Sequence, residues 1–404
     1  MRLALVSEHA NPLAALGGAD AGGQNVHVAA LAAGLARRGH EVTVHTRRDS
    51  PGGPDRIETE DGYAVELVRA GPATDVPKDQ LLPHIGDFGD RLGERWQDDP
   101  PDVVHAHFWM SGLASLRATR STSIPVVQTF HALGSVKRRQ QGLADTSPRS
   151  RIDHERRLCR EVDHVIATCT DEVAELRTLG LSPTRASVIP CGVDTELFRP
   201  AERRDPDGPP RLLVLGRLVT RKGIGNVVEA LAQLPGAELV VAGGPAADAL
   251  DADPTVVRLR ELADGLGVTD RVRFLGGVRR EDVPGLITDS DVVVTVPWYE
   301  PFGIVPLEAM ACGRPVVGAA VGGLLDTVEP GVTGELVPPR EPDAVVAAVR
   351  RLLDEPERRA AYGEAGRQRA VERYDWREVV EQTEAVLQEL AASTPLSDTT
   401  EVAR

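Results

Sequence analysis

Short apolar runs recur along this chain with one helix-length stretch between successive runs, and this alternation limits the fold more than any other feature. Leu3–Val6, Glu41–His45, Val103–Ala106, Pro125–Thr129 and His164–Ala167 read as strands, and Val26–Arg38 reads as a helix closed by Gly39-His40. Such alternation builds parallel sheets with crossover helices. The series then breaks at the polar, proline-rich segment Ala201 to Pro210, whose composition suits an exposed linker. A second series opens at Arg211–Leu215 and continues through Glu238–Ala242, Val272–Leu275, Val292–Val296 and Pro315–Val317. A chain of 404 residues exceeds what one core usually serves. The expected division is an N-terminal domain over 1–195, a C-terminal domain over 196–375, and a segment 376–404. That segment holds a last helix, Trp376–Leu390, for which the N-terminal domain is one surface to pack back on, and a polar tail.

Charge narrows the partners. Net charge is −15, which removes the broad basic face that nucleic acid or an anionic membrane would need, while a local basic pocket stays open. Cys159, Cys169, Cys191 and Cys312 form no C-x-x-C pair, so neither a zinc site nor a disulfide framework is indicated, and a cytoplasmic setting is expected. The opening apolar run is too short for a signal peptide, and no run of about 18 apolar residues would make a membrane span.

Three constellations carry chemistry. Between the first strand and first helix lies Gly17-Gly18-Ala19-Asp20-Ala21-Gly22-Gly23-Gln24-Asn25. Its glycines let backbone approach a ligand, and the amides of the following helix N-terminus favour a phosphate. No Lys-Ser or Lys-Thr follows Gly23, so it is not a P-loop, and a plain flexible loop fits the glycines equally well. After the first strand of the second series comes Gly216-Arg217-Leu218-Val219-Thr220-Arg221-Lys222-Gly223. Ligands in open α/β sheets bind outside the carboxyl ends of strands, where Arg217 and Lys222 would meet a diphosphate. A leaving diphosphate gains charge as its bond to a sugar breaks, so fixed cations there stabilise the transition state most. The third is Glu300-Pro301-Phe302-Gly303-Ile304-Val305-Pro306-Leu307-Glu308. Gly303 marks a turn into a helix, and Pro306 is tolerated in its first turn. Glu300 then lies on the loop and Glu308 in the second turn, two carboxylates able to accept from sugar hydroxyls at different depths.

His105, His107 and His131 fall at strand ends. No carboxylate motif accompanies them, so a metal-free polar pocket is expected, with His131 functional and the other two structural.

Together these segments resemble the retaining glycosyltransferases of family 4, with the GT-B fold of two Rossmann-like domains facing across a cleft. The resemblance runs from Leu3 to about Leu390 and is most specific over Glu300 to Pro315. Pro12-Leu13 and Asp20-Ala21-Gly22-Gly23-Gln24-Asn25-Val26 place it near the branch of mycothiol-pathway inositol-phosphate N-acetylglucosaminyltransferases and sucrose-phosphate synthases. The resemblance implies sugar transfer from a nucleoside-diphosphate sugar, UDP favoured and GDP next, with retention by a front-face route. It implies no cofactor beyond that co-substrate. Gly22 and Gly23 would meet the donor phosphate, Arg217 and Lys222 the diphosphate, Glu300 the donor sugar, and Glu308 the ribose. His131 would lie beside the reacting sugar. Phe302, Gly303, Ile304 and Val305 would complete the donor wall, and backbone near Val278 would read the base.

On the acceptor side the resemblance implies a small hydroxyl compound held by Asn25, Lys78 and Arg156. The branch has a Tyr and a Thr on the acceptor phosphate, where this chain has Phe108 and Ala132. Each lost hydroxyl removes only about 0.5–1.5 kcal/mol, so a phosphorylated acceptor is weakened rather than excluded. A nucleotide-sugar 2-epimerase of the same fold and a non-catalytic nucleotide-sugar binder remain alternatives.

Overall fold

A computed structural model describes residues 1–14, 23–202 and 207–393. Gly22 lies outside them.

The first sheet contains β1 (Arg2–Val6), β2 (Glu41–Arg47), β3 (Arg56–Glu58), β4 (Ala64–Val68), β5 (Val103–His107), β6 (Val126–Thr129), β7 (His164–Ala167) and β8 (Ala186–Val188). Their order across the sheet is β3-β4-β2-β1-β5-β6-β7-β8, and β3 runs antiparallel to β4. The second sheet contains β9 (Arg211–Leu215), β10 (Glu238–Ala242), β11 (Val272–Gly276), β12 (Val292–Thr295), β13 (Val316–Ala319) and β14 (Gly334–Val337). Its order is β11-β10-β9-β12-β13-β14, with parallel pairings throughout.

Both sheets are covered on both faces, which is why their strands read as continuous apolar runs. In β1, Leu3 and Leu5 enter one core cluster while Ala4 and Val6 enter the other. In β9, Leu212 and Val214 face one cluster, Leu213 and Leu215 the opposite one.

Four strands escape the sequence pattern for physical reasons. β3 and β8 are three-residue edge strands with little burial. β4 carries Glu66 at its centre, where Arg95 donates to the carboxylate at 2.7 Å and Arg56 at 3.1 Å. β14 is Gly-Glu-Leu-Val, too short and mixed to stand out.

The chain crosses between the sheets twice, side by side. Val193 N donates to Tyr374 O at 2.7 Å, and Trp376 N to Val193 O at 3.3 Å. The last helix, Trp376–Ser393, packs on the helix Gly23–Arg37, sharing a core cluster with Leu31, Leu35 and Val44. Gly34 permits this contact, because a Cβ there would lie 2.3 Å from Val380 Cγ2.

Candidate active site

Each sheet reverses its strand order once, between β1 and β5 in the first and between β9 and β12 in the second. Such a reversal splays the loops leaving the strand carboxyl ends and opens a crevice there. The two crevices face one another and form a cleft of about 380 Å³. One wall holds His9, Gly23, Asn25, Lys78, Phe108 and His131. The other holds Arg217, Lys222, Glu300, Phe302 and the helix start at Gly303, Ile304 and Val305.

Two helix N-termini meet in this cleft. Helix Ile304–Ala311 is entered through Gly303 at φ +76°, and no side chain caps its first turn. Across from it, helix Gly23–Arg37 begins so close that a Cβ on Gly23 would lie 3.1 Å from Ile304 Cδ1. Uncapped amides at the Ile304 start and the aligned dipoles of both helices favour an anion between them.

The second wall is built rigidly. Gly223 sits at φ +70°, and a Cβ there would lie 2.1 Å from Val296 O, so only glycine lets the Lys222 turn press against the end of β12. The Glu300 loop is held from the other side, where Gly323 N donates to Glu300 O at 2.9 Å. Lys222 Nζ ion-pairs with Glu300 Oε2, both side chains largely covered. Burial pushes the Glu300 carboxyl up, but Lys222, Arg221 and Arg217 outweigh it and hold it below the usual carboxylate range.

His131 is a non-glycine residue at φ +59°, a left-handed conformation that needs support from its surroundings. Its Nε2 lies 2.9 Å from His107 Nδ1, and the rings stack at 5.1 Å. His105 lies behind them, with its Nε2 2.9 Å from Thr129 Oγ1. Burial, with His27, His105 and His9 nearby, drives His131 well below the ordinary imidazole range, so it is a neutral polar group. Phe302 packs on its other side at 5.2 Å.

The structure thus gathers Gly23, Asn25, Lys78, Phe108, His131, Arg217, Lys222, Glu300, Phe302, Gly303, Ile304 and Val305 into one cleft. It leaves Arg156 and Val278 elsewhere and Glu308 directly behind the wall at Arg280. Arg156 is exposed on helix Arg151–Glu161 and pairs with Asp153 at 2.8 Å, because its helical position turns it to solvent. Its neighbour Arg151 faces inward instead, with its guanidinium 5.0 Å from the Phe108 ring centroid. Val278 packs on an apolar core cluster rather than on the cleft wall. Glu308 is buried one layer behind the wall, 3.1 Å from Arg280 Nη1. Residues not singled out from sequence also line the cleft, among them His9, Arg221 and Arg280. His9 lies three residues past Val6, the carboxyl end of β1, a placement that could have flagged it.

Residues 21–197 match the family model described as Glycosyltransferase Family 4, and residues 196–369 match Glycosyl transferases group 1. The chain is 37% identical over 402 residues to D-inositol 3-phosphate glycosyltransferase 1 of Catenulispora acidiphila, covering 95% of each chain. It belongs to the family 4 GT-B glycosyltransferases. The sucrose-phosphate synthase of Thermosynechococcus elongatus superposes on this glycosyltransferase with a TM-score of 0.88 and 32% identity, over 97% of this chain and 99% of that one. Anabaena HepE, solved with UDP and glucose, shares the fold at a TM-score of 0.75 and 22% identity, over 96% and 99%.

For a glycosyltransferase the geometry is apt. The cations of the β9 loop and the two helix starts line one cleft between the domains. Among the described residues no group of three or more His, Cys, Asp or Glu is placed to hold a metal ion, and no helix is long and apolar enough to cross a membrane.

Proposed function

We propose that this enzyme transfers a hexose or N-acetylhexosamine from a nucleoside-diphosphate sugar, UDP favoured, to a hydroxyl of a small polyol acceptor, with retention at the anomeric carbon. The Lys222–Glu300 ion pair, set beneath two converging helix N-termini, carries the reading. Arg217 and Lys222 hold the diphosphate. Gly23 and the Gly303–Val305 amides receive its oxygens. Glu300 accepts from the donor sugar, Glu308 from the ribose, and His131 lines the reacting sugar as a neutral imidazole.

In the front-face route the C1–oxygen bond breaks first, and its electron pair leaves with the diphosphate. The acceptor oxygen bonds to C1 on the same face, and its proton passes to a departing phosphate oxygen. Lys222 and Arg217 stabilise charge that exists fully only as that bond breaks. No metal enters this scheme. Lys78 and Asn25 stand on the acceptor wall. The name of the Catenulispora relative supports a polyol phosphate as acceptor. Phe108 and Ala132, which cannot donate to a phosphate from their side chains, favour an acceptor held by fewer phosphate contacts. Four free, buried cysteines accord with a cytoplasmic enzyme.

The test is nucleoside diphosphate release from UDP-, GDP- and ADP-sugars, with and without inositol phosphates and sugar phosphates, products being weighed. Release that requires an acceptor, with one sugar added to it, is expected. A changed sugar configuration at constant donor mass would instead reveal an epimerase.

A further inference from the structure

Tyr299 stands directly before Glu300, and the scheme above gives it no part. By sequence it belongs to the second domain, on the loop between β12 and the helix Ile304–Ala311. Its side chain nevertheless packs against the first domain's apolar cluster, the one that contains Leu133, Val136 and Leu176. Among the described residues of that cluster and its packed neighbours, Tyr299 alone comes from the second domain. Burial raises its phenol well above the ordinary tyrosine range, and the charge of Glu172, on the first domain's helix Thr170–Thr178, adds to the rise. On the other side of Glu300, Phe302 also reaches across, its ring centroid 5.2 Å from that of His131. Glu300 thus sits between two aromatic side chains that both lodge against the opposite domain.

Glu300 lies in neither helix nor strand, so its aim depends on what grips the loop. From its own domain the loop is held through main chain, Arg221 Nη1 donating to Tyr299 O at 3.4 Å and Gly323 N to Glu300 O at 2.9 Å. Lys222 pairs with the carboxylate, but an incoming diphosphate shares that cation. The packing of the neighbouring rings then holds the side chain. Opening the cleft would draw the Tyr299 ring from an apolar setting into water, an unfavourable transfer. Closure therefore gains the burial of the ring and fixes Glu300 in the same movement.

We propose that Tyr299 is a positioning residue that couples domain closure to Glu300: its ring seats against the first domain in the closed enzyme and there holds the Glu300 carboxylate on the donor sugar. This rests on the transferase reading above. An open enzyme would then bind the nucleoside diphosphate through the second domain without engaging the sugar.

Variants of the full-length enzyme test it. Tyr299→Ala should lower kcat about 10- to 100-fold, the range that follows a small misplacement of a group on the substrate. Its Kd for the nucleoside diphosphate should stay close to that of the wild type, because Arg217, Lys222 and Glu308 lie in the second domain. Its preference for nucleotide sugar over nucleoside diphosphate, read as the ratio of the two Kd values, should fall. Tyr299→Phe, which keeps the ring, should recover most of both losses. In a Glu300→Gln background Tyr299→Ala should cost little more, because the two changes remove one function. Small-angle scattering should show the wild type compacting on nucleotide sugar and Tyr299→Ala compacting less. Tyr299→Leu, which keeps part of the apolar volume, carries the same comparisons should Tyr299→Ala prove unstable.

Penalties of the Tyr299 and Glu300 variants that multiply independently, a Tyr299→Phe enzyme as impaired as Tyr299→Ala, or full compaction in Tyr299→Ala would overturn the coupling and leave the transferase standing. A wild-type enzyme that binds nucleoside diphosphate yet transfers sugar to no acceptor would overturn the parent reading and this one with it.

Discussion

Thr170 and Asp326 join the two domains. Thr170 N donates to Asp326 Oδ2 at 2.6 Å, and its hydroxyl donates to Oδ1 at 2.7 Å. Thr170 opens the helix Thr170–Thr178, so the carboxylate also sits where the helix dipole favours it. Asp326 is anchored in its own domain, its carbonyl accepting from Arg369 Nη2 at 2.8 Å and from the Tyr374 hydroxyl at 2.9 Å.

Solvent reaches this contact, so it is worth about 1–2 kcal/mol. Asp326→Ala should therefore shift any open–closed equilibrium about five- to thirty-fold toward the open form. Small-angle scattering of the free enzyme should report a larger radius of gyration, and donor Kd should rise. If both quantities match the wild type, the pair does not govern closure.

Lys222→Ala should lower turnover about 10²-fold or more, because a cation aimed at the leaving diphosphate is lost. It also strips Glu300 of its first counter-charge. Glu300 is held below the ordinary carboxylate range in the fold, so the pair's stabilisation is present above the ordinary pKa and fades as pH falls through the folded value. At pH 7 the variant should lose about 1–3 kcal/mol, between the cost of an exposed pair and that of a fully buried one. Denaturant titration should show the gap between the two proteins closing at acid pH, and a gap that persists there would assign the loss to packing instead.

The histidine cluster should make the fold acid-sensitive. Burial lowers His27 to about 4 and His105 to about 3, with the His27 charge adding to the effect on His105. His107 and His131 are driven down in the same direction. Below pH 6.5 the unfolded chain binds protons that the native cluster refuses, so stability falls as pH drops from 6.5 toward 4. Each histidine can add about 1.4 kcal/mol per pH unit over its window. His105→Gln, which can keep a hydrogen bond to Thr129 Oγ1, should flatten that slope. Denaturation midpoints of wild type and variant that move in parallel between pH 7 and 5 would remove His105 from the cause.

Much of this was legible in the sequence, because strands buried on both faces print continuous apolar runs. His164–Ala167, Arg211–Leu215 and Glu238–Ala242 are strands with those very bounds. The Lys222 and Glu300 loops were legible because each follows a central strand and carries a glycine, Gly223 for close contact with Val296 O and Gly303 for a left-handed backbone. Arg156 misled, since basic residues at 151, 156 and 157 share one helix and sequence does not say which faces inward. Buried Arg151 does, paired at 2.8 Å with fully buried Glu155. His9 was passed over although it lies just past the end of β1, where an open α/β sheet binds its ligands.

Glu308 should give the donor site a pH dependence opposite in sense to its own effect on the stability of the fold. Burial lifts its carboxyl to about 7, and Arg280 at 3.1 Å only partly opposes this. The native state therefore binds a proton between about pH 4.5 and 7 that the unfolded chain has released. Stability from this residue is present below the ordinary pKa and lost as pH rises through 7, by about 3 kcal/mol in all. The histidines act with the opposite sign over part of that range, so the effect is read as the difference between wild type and Glu308→Gln. Ribose hydroxyls donate best to a carboxylate, so donor affinity should rise about tenfold from pH 6 to 8, following the ionised fraction. Glu308→Gln should bind donor more weakly at pH 8 and lose that dependence. Calorimetric titration of the nucleoside diphosphate at both pH values measures it, and a wild-type affinity flat across that interval would take the ribose role from Glu308.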